Sequence, residues 1–161
     1  MVLKMIAAVG ENLELGKKDG LIWHLPGDLK FFKRTTGKDA MVMGDRTFHS
    51  LPGMLPGRKH IVLTQDRDEK FPEGVEVFYS LDDFMKEYSG REETVWVVGG
   101  GMIYKLFLPL VQELYLTEIE ASDDTAEVYF PEFSRDDFAR EVLGSGEDNG
   151  VGYSFVRYTR R

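Results

Sequence analysis

The sequence predicts a single α/β domain: a central, mostly parallel eight-stranded sheet with an antiparallel C-terminal edge, flanked by about four helices. Three observations predict it. The chain has 161 residues, and no repeat, low-complexity run or Pro/Gly/Ser-rich linker divides it. Apolar residues make up 42% of it, and a chain of this size buries roughly 70% of the surface its unfolded form exposes, enough for a core without disulfides. Short apolar runs alternate with helical stretches, the pattern of strands joined by crossover helices.

The elements follow in order. Residues 3–9 read as a buried strand, and a polar, Gly-bearing loop spans 10–20. Pro26 suits the first turn of a helix, which runs to about Thr36 and stops near Gly37. Residues 40–43 form a short apolar strand that enters Gly44, and 60–64 and 75–79 form two more. Ser80 caps a helix with Asp82 and Asp83 in its first turn, where the helix dipole favours acids, and Gly90 ends it. A strand at 94–98, a helix at 101–107 and a long strand at 113–120 come next. Residues 139–143 and 153–158 pair as a hairpin across a Gly-rich loop. In such sheets ligands bind at the carboxyl ends of the strands.

Composition excludes several classes of function. The chain has no cysteine, which rules out disulfide frameworks and thiolate metal sites, and the three histidines lack metal-ligand spacing, so no metal site is expected. The segment MVLKMIAAVG is too short and too soon interrupted for a signal peptide, and no apolar run approaches the ~20 residues of a membrane span. The net charge is −8 with no basic stripe, which disfavours sequence-independent nucleic-acid binding. A cytoplasmic monomer without membrane or nucleic-acid partners is the expectation. An anionic ligand must then be held by a few local cations or by helix N-termini.

Four stretches carry chemistry, each beside a blander reading. VWVVGGGMIY, residues 95–104, is a buried strand, three glycines and a helix start, which lets a phosphate approach the backbone; it also reads as an ordinary tight turn without the usual GxGxxG spacing. VMGDRT, residues 42–47, repeats the design, with Arg46 and Thr47 able to give a cation and a hydroxyl to phosphates, or to be a plain helix start. In LPGRKHIVLT, residues 55–64, Arg58 precedes a strand and suits a bidentate carboxylate clamp, or a surface turn. In LIWHLPGDLKFF, residues 21–32, Asp28 lies among apolar residues beside Phe31 and Phe32. It either caps or decorates the first turn, or is a desolvated carboxylate with a raised pKa.

Taken together, these stretches resemble the dihydrofolate reductase family over almost the whole chain: MIAAVGEN, LELG, IWHLPGDLKFFKRTT, VMGDRTFHSLPGMLPGRKHIVLT, VVGGGMIYKLFLP, LYLTEIEA and YFPEF occur in order. The resemblance implies hydride transfer from NADPH to C6 of dihydrofolate, giving tetrahydrofolate for one-carbon and thymidylate metabolism. Antifolates are implied ligands, and residues 39–107 match the adenosine-binding part of the single domain. Asp28 matches the acid that binds N3 and the 2-amino group of the pterin, with Thr117 bracing it. Leu21 and Trp23 match the loop where a water delivers a proton to N5. Ile6, Ala8, Leu21, Phe32, Ser50, Leu51, Leu55 and Val98 match walls around the pterin and benzoyl rings. Arg58 matches the clamp on the glutamate α-carboxylate, and Lys33 adds attraction for that tail. Ala8, Leu15, Gly16, Leu21, Val98 and Tyr104 match groups near the nicotinamide. Gly44, Asp45, Arg46, Thr47, Leu63, Thr64, Gln65, Gly99, Gly100, Gly101, Met102 and Ile103 match the rest of the cofactor site, and the Gly99–Gly100 bond is expected to be cis.

Four departures stand out. Asp45 occupies the position of the usual arginine beside the 2′-phosphate, and Met102 that of a cation or polar group; Thr64, Gln65 and Arg67 are placed to compensate. Ile22 replaces a proline before Trp23. Residues 122–127 replace the family's "GDT" loop and read as carrying one added residue. Two alternatives share some of these features: a riboflavin-pathway pyrimidine reductase of the same fold, and a non-catalytic pterin- or nucleotide-binding module.

Overall fold

The computed structural model describes every residue except Lys18, Asp19 and Pro52. The main sheet has eight strands, and four helices are present among the described residues. In chain order these are β1 (Val2–Val9), β2 (Glu14–Lys17), β3 (Gly20–Leu21), α1 (Pro26–Thr36), β4 (Ala40–Gly44), α2 (Asp45–Ser50), β5 (His60–Leu63), β6 (Val75–Phe78), α3 (Leu81–Tyr88), β7 (Thr94–Val97), α4 (Gly101–Phe107), β8 (Glu113–Ile119), β9 (Val128–Tyr129), β10 (Phe138–Asp148) and β11 (Val151–Arg160). The large sheet runs β10-β11-β8-β1-β7-β4-β5-β6. β1, β4, β5, β6, β7 and β8 are mutually parallel, and β11 pairs antiparallel with β8 and β10, which gives the expected antiparallel edge.

The alternation of side chains along the strands builds two cores. One face presents Leu3, Met5 and Val9 of β1, Val95 and Val97 of β7 and Leu114 and Leu116 of β8, covered by Phe84 and Tyr88 of α3 and Phe107 of α4. The other face presents Ile6, Trp96 and Tyr115 to Phe31 of α1, and Met41, Met43 and Val62 to the segment around α2. Local signals set the helix limits. Ser80 Oγ accepts from the Asp83 N–H at 3.0 Å, as the sequence predicts. α1 begins at Pro26 without a side-chain cap and ends at Gly37, whose φ of 55° favours glycine.

Two expectations need correction. The segment 10–20, read as loop, contains β2 and β3, which form a second, three-stranded sheet in the order β3-β2-β9. The Gly-rich stretch between the last two strands is also no loop. β10 runs on to Asp148, with a bulge between Val142 and Gly144. The connection is the two-residue turn Asn149-Gly150, whose φ values of 53° and 78° suit a tight hairpin.

Candidate active site

The site lies where α1 crosses the carboxyl ends of β1, β7 and β8. Asp28 sits in the first turn of α1, and its own N–H bonds to Leu25 O at 3.0 Å. Its carboxylate turns inward to the sheet, where the hydroxyl of Thr117 on β8 donates to Oδ1 at 2.5 Å. Thr117 is buried and lies level with Ala8 of β1 on one side and Phe155 of β11 on the other. Phe31, three residues beyond Asp28, stacks on Phe155 with ring centroids 4.0 Å apart. Asp28 thus does not cap the helix, and it is half-buried rather than turned out to solvent. Burial holds its carboxyl above the usual range; the Thr117 hydroxyl opposes that shift and the nearby Asp148 carboxylate adds to it.

The apolar positions named from sequence converge here. Ile6 packs with Phe31, Trp96 and Tyr115, and Phe32 and Val98 lie against both this group and the one formed by Met41, Met43 and Val62. Leu51 and Leu55 join the second group. Ala8 and Trp23 pack against Leu25, Ile119 and Tyr153. Ser50 is exposed and donates its hydroxyl to Thr47 O at 2.7 Å. Leu21 stands apart from the walls: it is 67% exposed on β3, level with Gly16. Lys33 is exposed on α1. Arg58 reaches the far end of α1, donating from Nη1 to Thr36 Oγ1 at 2.8 Å and from Nε and Nη2 to Asp39 O at 3.0 and 2.7 Å. These bonds fix the plane of the guanidinium and leave the rest of its N–H fork for a carboxylate.

A second group of residues surrounds the turns after β4, β5 and β7. The Gly99–Gly100 peptide is cis, as the resemblance implied, and Gly99 O accepts from the Gly44 N–H at 2.8 Å, tying the β4 and β7 turns together. A Cβ on Gly99 or Gly100 would lie 3.5 Å from Thr47 Oγ1, and one on Gly44 would lie 3.2 Å from Ile103. The glycines therefore leave an open cradle beside a hydroxyl, which fits the phosphates of a dinucleotide. Arg46 is exposed at its edge. Asp45 accepts from Thr64 Oγ1 at 2.9 Å and from the Arg46 N–H at 2.7 Å. Leu63 and Thr64 are buried at the end of β5, whereas Gln65, Arg67 and Met102 are exposed, Met102 at 79%. Tyr104 is buried and donates its hydroxyl to Ile6 O at 2.8 Å, linking this half to the acid's side of the sheet. Leu15 and Gly16 lie on β2.

Several contributors escape sequence reasoning. Glu14 is 1% exposed and accepts from the N–H groups of Asn12 and Asp123 at 2.7 and 2.6 Å. Asp148 accepts from the Gly27 N–H and the Tyr153 hydroxyl, and Asp39 accepts from the Trp96 indole. Each has at least one partner far away in sequence, 109 residues for Asp123 on Glu14, 121 for Gly27 on Asp148 and 57 for Trp96 on Asp39, and no local spacing signals those contacts. The Asn149-Gly150 dipeptide was the one available sign, because it places Asp148 at the end of a hairpin.

Comparison with known proteins gives the family. The sequence profile of the family "Dihydrofolate reductase" matches residues 2–160. The chain belongs to the dihydrofolate reductase family. The Haloferax volcanii dihydrofolate reductase HdrB is 38% identical over 98% of this chain and 82% of its own. The Bacillus subtilis dihydrofolate reductase is 35% identical over 99% of this chain and 95% of its own. A solved structure of the Enterococcus faecalis dihydrofolate reductase, complexed with NADP(H) and RAB-propyl, superposes with a TM-score of 0.86 at 32% identity, covering 99% of this chain and 96% of that one. The reductase acts on 7,8-dihydrofolate, with NADPH as its hydride donor. Among the described residues, no helix of the reductase is long and apolar enough to cross a membrane.

Proposed function

We propose that reduction takes place in the cleft between α1 and the carboxyl ends of β1, β7 and β8, with Asp28 as the group that binds the pterin. The observation that carries this reading is the inward carboxylate of Asp28, braced by the Thr117 hydroxyl at 2.5 Å among apolar side chains. A carboxylate there can accept two parallel N–H bonds, from N3 and the 2-amino group of the pterin. In surroundings of low dielectric it favours the pterin form that carries the extra proton, which makes C6 more electrophilic. Phe32, Leu51, Leu55 and Val98 sandwich the rings and exclude water. Arg58 holds the glutamate α-carboxylate, and Lys33 adds attraction from α1. Trp23 and Leu21, at the mouth, order the water that passes a proton to N5.

NADPH, when bound, supplies the hydride. Gly44, Arg46, Thr47 and Gly99 to Met102 would hold its phosphates; Leu63, Thr64 and Gln65 its adenosine; and Ala8, Leu15, Gly16 and Tyr104 its nicotinamide. Antifolates with a diaminopyrimidine edge would take the place of the pterin on Asp28. The cysteine-free sequence suits a reducing cytoplasm, where we place the protein as a monomer.

The test follows nicotinamide absorbance with dihydrofolate for the wild type and Asp28→Asn. We expect hydride transfer to collapse by about 100-fold or more in the variant, in line with the loss of a positioned proton-handling group. In the wild type the rate falls as pH rises through the raised Asp28 pKa, because the proton that activates the pterin is lost; the variant lacks that fall. Full activity in Asp28→Asn would refute the assignment.

A further inference from the structure

A second carboxylate stands behind the first. Asp148 closes β10 at the tip of the last hairpin, 120 residues from Asp28 in sequence. Its Oδ2 accepts from the Gly27 N–H at 2.8 Å and from the Tyr153 hydroxyl at 2.7 Å. Gly27 is the residue directly before Asp28, and its N–H belongs to the first turn of α1, which has no partner within the helix. No side chain at position 27 caps this turn: a Cβ there would lie 2.1 Å from the Tyr153 hydroxyl and 3.0 Å from Asp148 Oδ2. The neighbouring Asn149 donates from Nδ2 to His24 O at 3.3 Å, so the hairpin tip also grips the segment that leads into α1.

We propose that Asp148 is a positioning residue for the reduction: through the Gly27 amide it fixes the turn that aims Asp28, and its negative charge acts on the Asp28 carboxylate. The proposal rests on Asp28 being the acid that binds the pterin. The titratable groups acting on Asp28 or its brace come from four elements. Burial raises both Tyr104 of α4 and Tyr153 of β11, Tyr153 to about 12; the hydrogen bond and charge of Asp148 add to the shift of Tyr153, and the Asp28 charge adds to both. Both hydroxyls therefore stay protonated, donating to Ile6 O and to Asp148. Asp148 of β10 is held ionised, below the usual carboxylate range, by the Tyr153 hydroxyl, the Gly27 amide and Lys30 of α1. The charge facing Asp28 from the hairpin is thus a permanent one at neutral pH. It disfavours a second carboxylate charge on α1 and so helps to keep the pterin-binding acid's titration high.

The test compares single-turnover hydride transfer against pH for the wild type, Asp148→Asn, Tyr153→Phe and Asp28→Asn, together with their melting temperatures. Asparagine keeps an oxygen acceptor for Gly27 and Tyr153 but removes the charge. We expect its rate profile to move to lower pH by about half a unit, making hydride transfer roughly threefold slower above the midpoint, with KM for dihydrofolate little changed. Tyr153→Phe keeps the charge, and its midpoint stays at the wild-type value even if its melting temperature falls. An Asp148→Asn profile superimposable on the wild type, whether or not the melting temperature drops, would overturn the proposal. If the fall with pH persists in Asp28→Asn, the assignment of Asp28 itself is what fails.

Discussion

Asp45 places a negative charge where the ends of β4 and β5 meet, with one oxygen on the Thr64 hydroxyl and the other on the Arg46 N–H. We propose that the adenosine ribose of the cofactor lies beside it: a carboxylate there would accept from a ribose hydroxyl and repel a 2′-phosphate, the usual basis for telling the two nicotinamide dinucleotides apart. Arg46 follows Asp45 directly and Arg67 lies three residues beyond Thr64; both are exposed and available to offset that charge. We therefore expect NADPH to remain the better donor by a narrow margin. Asp45→Arg should widen the NADPH-to-NADH ratio of kcat/KM by about tenfold, the worth of one charge-assisted contact of ~1.4 kcal/mol. Equal ratios in wild type and variant would count against Asp45 as the discriminating group. Asp28, Thr117 and Arg58 were legible as residues because each sits in a distinctive run of neighbours. Asp148 and Glu14 were not, since each takes its meaning from a backbone amide that only the folded chain brings near.

At the scale of elements, the chain before α1 is tied down by more than its neighbours in sequence. β2 pairs with β9, Phe130 N–H reaches Leu13 O at 2.8 Å, and Glu127 N–H reaches Gly16 O at 3.0 Å. Lys17 Nζ lies 3.5 Å from Asp123 Oδ2. Glu14 is the buried pin of this arrangement, since it joins the 10–13 turn to Asp123 in the segment where the sequence departs from its family. Removing it leaves two amides without their acceptor, at a cost of about 2 kcal/mol, and loosens the stretch that carries Leu21 and Trp23. For Glu14→Ala we expect single-turnover hydride transfer to slow by about tenfold while NADPH still binds, as a misplaced positioning loop would. An unchanged stopped-flow rate would show that the pairing of β2 and β9 suffices without the pin. The apolar parallel strands were readable because burial on both faces gives continuous apolar runs. β2, β3 and β9 were not: they span only four, two and two residues, too few to show a period, and the pairing of β2 with β9 joins segments more than a hundred residues apart.

At the scale of the whole molecule, binding and stability pull against each other through Asp28. Its carboxyl is raised in the folded state, so its favourable contribution is complete below the unfolded value of 3.8 and is lost as pH rises through the folded value. At neutral pH the fold carries a carboxylate in poorly solvated surroundings, whereas asparagine would still accept from Thr117 without the charge. We expect Asp28→Asn to melt above the wild type at about pH 8, with the gap closing towards about pH 4. A variant that melts below the wild type at about pH 8 yet matches it near about pH 4 would show that the charge stabilises the fold. The main sheet was legible at this scale from the alternation of strands and helices, while the small β3-β2-β9 sheet was missed and the reach of the last hairpin was underestimated.

That reach has a kinetic consequence. β11 lies between β8 and β10, and the tip of the hairpin grips the start of α1, more than a hundred residues earlier. The acid that we assign to the pterin therefore follows a residue held by a part of the chain that leaves the ribosome late. The strands from β1 to β8 can collapse during synthesis, but the first turn of α1 gains its clamp only when residues near 148 emerge. Contacts so distant along the chain are slow to close. Competence for catalysis should thus be among the last properties that a newly made molecule acquires.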